Sequence, residues 1–74
     1  MYLVEWYDAR GYMGEGTKPV KPYKKLLAIK TTAGIEIKKD QDCVIIITEK
    51  TEGEDTPDDF TVIPRKWIKK ITKL

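Results

Sequence analysis

The chain has no histidine, no serine, no asparagine and a single cysteine. These gaps remove most catalytic chemistry. No Ser/His pair can form, and Cys43 has no histidine to activate it, so no catalytic residue and no enzymatic activity are expected. One cysteine closes no internal disulfide and builds no cysteine zinc site, so no metal and no cofactor are expected. No run nears the roughly 20 apolar residues of a membrane-spanning helix, and no membrane partner is expected. Residues 1–10 hold neither a basic region nor a long apolar core, so a secretory signal is not expected. Cysteine this scarce makes a cytoplasmic setting the default expectation.

What is present is charge, and it is unevenly placed. The 74 residues carry 14 basic and 12 acidic side chains, a net charge of +2. Residues 1–37 are net +2, residues 38–64 net −5 and residues 65–74 net +5. A split this sharp points to opposite poles that attract one another or face different partners. A chain this short makes one domain, 1–74, with a thin margin of stability.

Apolar alternation locates the strands. In Tyr2–Asp8, the residues Tyr2, Val4 and Trp6 share one face, which is expected to be core because the other holds Glu5. Tyr7 then becomes a half-exposed aromatic. Residues 9–23 read as loop, with three glycines and two prolines. The glycines have neither dinucleotide-fingerprint nor P-loop spacing. Within the loop, Pro19-Val20-Lys21-Pro22-Tyr23-Lys24 fits the pattern of polyproline ligands, although prolines also simply stiffen a loop. Residues 24–31 read as the second strand, with Leu27 and Ile29 on one face and Leu26 and Ala28 on the other. Thr32-Ala33-Gly34 reads as a turn in which Gly34 supplies a positive φ. Residues 35–38 alternate as a third strand. Cys43–Glu49 is a fourth, apolar enough for burial on both faces. Residues 50–59 are half acidic and read as a solvated hairpin tip without calcium-loop spacing.

Phe60-Thr61-Val62-Ile63 reads as a fifth strand. Pro64 ends regular pairing, and Arg65-Lys66-Trp67 has the length of one 3₁₀ turn. After it, Ile68 and Ile71 return to the core. An amphipathic helix over residues 65–73 is the alternative, since Trp67, Ile68, Ile71 and Leu74 also fit helical spacing. Turn plus strand is favoured, because β-branched residues recur and no helix cap is visible. The expectation is an all-β fold, a small five-stranded barrel with a short 3₁₀ or helical turn near the C-terminus.

Val62-Ile63-Pro64-Arg65-Lys66-Trp67-Ile68 resembles the (L/I)-P-x-N-Y-V segment of SH3 domains, with Trp67 in place of the tyrosine and Lys66 of the asparagine. Glu5-Trp6-Tyr7-Asp8-Ala9 is similar to their A-L-Y-D-Y segment, Tyr7 matching the first tyrosine. The resemblance implies an SH3-like barrel in which the proline and the following aromatic sit in a ligand groove. The tryptophan pair of SH3 domains is missing, and fold alone transfers no function.

The leading expectation is therefore a non-catalytic protein-binding module using Tyr7, Tyr12, Pro64 and Trp67, with the acidic loop selecting a basic partner. The alternative is nucleic-acid binding, with Arg65, Lys66, Lys69, Lys70 and Lys73 on phosphates and Trp67 stacked on a base. A viral or plasmid accessory or inhibitor protein, acting by masking a surface, also fits a small lysine-rich chain. An exposed edge strand would allow two copies to pair as a homodimer.

Overall fold

The computed structural model describes residues 1–11 and 18–74. Its strands are β1 (Tyr2–Asp8), β2 (Ala28–Gly34), β3 (Glu36–Lys39), β4 (Cys43–Glu49), β5 (Asp59–Pro64) and β6 (Ile68–Lys73). Two 3₁₀ turns, Tyr23–Leu26 and Arg65–Trp67, precede β2 and β6. The strands form two three-stranded antiparallel sheets, ordered β2-β1-β6 and β3-β4-β5. The all-β expectation holds, but the expected count of five strands is corrected. There are six strands among the described residues, and no ladder there closes the two sheets into a barrel.

The sixth strand is β6, and it replaces the helical alternative for residues 65–73. Ile71 lies opposite Val4 and Ile68 opposite Trp6. The two isoleucines stand three positions apart, an odd interval that should place them on opposite faces of a strand. The register shifts between Glu5 and Trp6, leaving Lys69 as the extra residue of a β-bulge. The bulge absorbs the odd interval, so both isoleucines pack against the core.

The segment from residue 24 to 38 also departs from the sequence reading. Lys24 to Leu26 belong to a 3₁₀ turn, and β2 starts only at Ala28. Thr32, Ala33 and Gly34 are not a turn. They continue β2 against β1, and one residue later β3 begins in the other sheet. The chain thus turns a corner instead of reversing. Gly34 does not adopt a positive φ. A Cβ there would lie 2.4 Å from Ile46 Cγ2 and 3.1 Å from the Ile47 carbonyl oxygen. Only glycine lets the two backbones approach that closely. The Ile35 amide donates to the Ile47 oxygen at 2.8 Å and fastens the corner.

The core lies between the sheets. Val4, Val44, Ile46 and Ile63 are buried together, with Trp6, Ile37, Ile68 and Ile71 packed around them. The expected inward face of β1 is correct. The Trp6 indole N–H donates to Thr32 Oγ1 at 3.0 Å, which satisfies its polar edge. Ile47 is buried as well, although it alternates with Ile46, so β4 is covered on both faces at that point. No helix among the described residues is long and apolar enough to cross a membrane.

One stitch fixes the end that matters for function. Asp40 Oδ1 accepts from the Asp42 and Cys43 amides at 2.8 and 2.7 Å, closing the β3–β4 turn. Arg65 then binds that turn twice: its amide donates to the Asp42 oxygen at 2.9 Å and its guanidinium to the Asp40 oxygen at 3.0 Å. The 3₁₀ turn carrying Lys66 and Trp67 is therefore pinned to the β3–β4 turn.

Candidate functional site

Antiparallel register brings the end of β1, the start of β2 and the entrance to β6 to one end of the molecule. Tyr7 alternates with Trp6, so its ring points away from the core. Across the ladder Tyr7 faces Ile29, and Leu27 lies two residues before Ile29 in the chain. Tyr7 is half-buried, whereas Leu27, Ile29 and Trp67 are exposed, Trp67 at 48%. Trp67 sits at the last position of its 3₁₀ turn and completes the wall.

These side chains line a groove. One compartment, of about 350 Å³, is bounded by Tyr7, Asp8, Ala9, Lys24, Leu27, Lys66 and Trp67. A neighbouring compartment of about 280 Å³ shares Tyr7, Lys24 and Leu27, and extends to Pro22, Lys25 and Ile29. The walls are apolar and the rims are lysines. Lys24 Nζ sits 4.4 Å from the centroid of the Tyr7 ring, within cation–π range.

The electrostatics are one-sided. Among the described residues Asp8 is the one acidic side chain lining the groove, and its carboxylate is engaged by Lys30 Nζ at 2.8 Å and by the Ala9 amide at 2.9 Å. The Lys30 hydrogen bond, helped by that amide, holds its pKa below the usual carboxylate value. No acidic residue pairs with Lys24, Lys25 or Lys66 among the described residues. The groove is thus an aromatic and aliphatic cleft with a positive rim.

Of the residues expected to bind protein, Tyr7 and Trp67 come together in this groove. Pro64 is exposed but does not line it; Pro64 is the last residue of β5 and sets the entry into the 3₁₀ turn. Tyr12 lies outside the described residues. Lys24, Leu27 and Ile29 were not singled out from the sequence. Their signal was the Leu27/Ile29 alternation, which could not be placed beside Tyr7 without the register. The proline-rich segment also reaches the groove, through Pro22 as a wall.

The basic residues of the alternative reading are dispersed. Arg65 is committed to the β3–β4 turn. Lys66 lines the groove, Lys69 is the bulge residue, Lys70 stands opposite Glu5 and Lys73 opposite Tyr2 at the far end of β6. No group of three cysteine or carboxylate side chains among the described residues is placed to hold a metal ion.

Compared with family models, with curated proteins and with solved structures, the chain matches none of them. The reading of its function therefore rests on the groove.

Proposed function

We propose that this chain is a non-catalytic protein-binding module whose groove takes an extended acidic segment of a partner protein, anchored by an apolar or aromatic side chain. The observation that carries this reading is that Tyr7 and Trp67, from opposite ends of the chain, line one open apolar groove. Exposed aromatics in a concave site supply contact area at small entropic cost. The partner is acidic because Lys24, Lys25 and Lys66 stand on the rim while Asp8 is engaged by Lys30. That revises the polarity drawn from the acidic loop, which lies elsewhere. The SH3 resemblance implies that Pro64 and the following aromatic both sit in the groove; Trp67 lines it and Pro64 does not, so the resemblance supports the reading at Trp67 alone. A module of this kind acts by masking or recruiting a surface, as accessory and inhibitor proteins do.

The test is titration of the isotope-labelled chain with acidic aromatic peptides, basic peptides and single-stranded oligonucleotides. Acidic peptides should shift Tyr7, Leu27 and Trp67 resonances. Trp67→Ala should weaken binding about thirtyfold, the weight of a ~2 kcal/mol anchor, while the fold survives. Unfolding of that variant, or no preference for acidic peptides, defeats the reading. The second reading, nucleic-acid binding, is favoured by exposed Lys66 and Lys69 close in sequence to exposed Trp67. Oligonucleotide binding that weakens steeply with salt would move the assignment there.

A further inference from the structure

Six of the twelve acidic residues of the chain lie on the hairpin at the end opposite the groove. β4 runs away from the Asp40–Cys43 turn and β5 runs back toward Pro64, so the hairpin joining them projects from the far end. Glu49 and Asp59 face each other at its base, and Glu52, Glu54, Asp55 and Asp58 occupy its tip. The hairpin is structured. The Glu54 amide donates to the Thr51 oxygen at 3.1 Å around Gly53, whose φ of 84° suits a tight turn. The Asp58 amide donates to the Glu49 oxygen at 3.0 Å, and Thr48 Oγ1 donates to Asp59 Oδ2 at 2.7 Å. Lys50, the basic residue of this segment, is engaged by Glu36 at 2.8 Å. Glu52, Glu54 and Asp55 have no basic partner among the described residues. Beside them Phe60 is half exposed, at 50%.

An acidic hairpin with an exposed aromatic at its base has the chemistry the groove accepts. It cannot reach the groove of its own chain, because the full length of paired β5 lies between the hairpin and the 3₁₀ turn that carries Trp67. It can reach the groove of another copy. We infer that this protein associates with itself head to tail, the acidic β4–β5 hairpin of one copy docking on the lysine-rimmed groove of the next. This rests on the groove reading above and names one occupant for it. The carboxylates of Glu52, Glu54 and Asp55 face Lys24, Lys25 and Lys66 of the neighbour, and Phe60 meets the apolar wall of Leu27 and Trp67. The interface is heterologous, so the copies extend into a chain or close into a ring. Attraction between exposed charges is screened once the Debye length falls to a few ångströms, which makes the association salt-sensitive.

The experiment is sedimentation velocity on the full chain across a concentration series, at about 20 mM and about 500 mM salt. The sedimentation coefficient should rise with concentration at low salt and stay constant at high salt. Lys24→Glu with Lys66→Glu should abolish the rise, as should Glu54→Lys with Asp55→Lys. Mixing those two double variants should restore it, since each supplies the surface the other complements. The hairpin variants change exposed side chains only, and circular dichroism checks that each variant is folded. A free peptide of residues 51–60 is titrated in parallel against the Trp67 resonance. If the peptide binds but the chain stays monomeric, the groove reading stands and self-association is refuted. If neither occurs, self-association is refuted, and the acidic-peptide titration above decides the groove reading separately. Association that survives high salt or the hairpin substitutions overturns the head-to-tail arrangement.

Discussion

Replacing Gly34 with alanine puts a methyl group where the side chain of Ile46 already lies. The added Cβ would be 2.4 Å from Ile46 Cγ2, against an ordinary carbon–carbon contact of about 3.5–4.0 Å. Ile46 is fully buried, so its branched side chain can move only against its core neighbours. The Ile47 oxygen at 3.1 Å blocks the other escape, since it accepts the hydrogen bond from Ile35. Overpacking of this kind costs about 1–3 kcal/mol. Alanine returns about 0.4–1 kcal/mol by restricting the unfolded chain. The net loss is about 1–2 kcal/mol, which for a domain this small lowers the melting temperature by roughly 5–15 °C. Thermal melts followed by circular dichroism measure it directly. Ile46→Leu removes the methyl branch at Cβ while conserving volume, so Gly34→Ala combined with Ile46→Leu should recover at least half the loss. Gly34→Ala melting at or above the parent temperature, or strict additivity of the two changes, would refute the account of the corner.

Acid should destabilise the fold in a defined window. Hydrogen bonds from Lys30 to Asp8, from Lys50 to Glu36, and from the Cys43 and Asp42 amides to Asp40 hold all three pKa values below their usual levels. Their contribution is complete above the unfolded values near pH 4 and is lost as pH falls through the lower folded values. Urea midpoints should therefore be flat from pH 7 to about 5 and decline below about 4, less steeply in Asp40→Ala. Arg65→Ala removes the guanidinium bond to the Asp40 oxygen, and should cost about 0.5–1 kcal/mol in urea unfolding; an unchanged midpoint would free Arg65 for ligand contact. Lys24→Ala should weaken acidic-peptide binding by severalfold in calorimetry with little change in melting temperature, since Lys24 is itself exposed and rests over the half-buried Tyr7 ring.

The Trp67 groove also shows how far the linear chain could be read. Period-two alternation in Tyr2–Asp8 was enough to place Val4 and Trp6 inward and Tyr7 outward, because side-chain direction in a strand is a local property. The 3₁₀ turn at Arg65–Trp67 was legible for the same reason: proline fixes φ, and the next three residues span one turn. Ile68 and Ile71 were harder. Their spacing suits a helix as well as a bulged strand, and only pairing with β1 selects the strand.

Sequence alone thus settled that this chain is all-β, where most strands lie, and that it holds no serine or histidine. Those outcomes depend on neighbours a few residues apart. Tertiary structure decided the remainder. It set the corner at Gly34, which exists because a distant isoleucine leaves no room for a side chain. It joined Tyr7, Leu27 and Trp67 in one groove. It also sorted the charges, drawing Lys24, Lys25 and Lys66 to one end and the carboxylates of the β4–β5 hairpin to the other. Antiparallel register does this because pairing distant strands decides which loops share an end, and no window of consecutive residues contains that information.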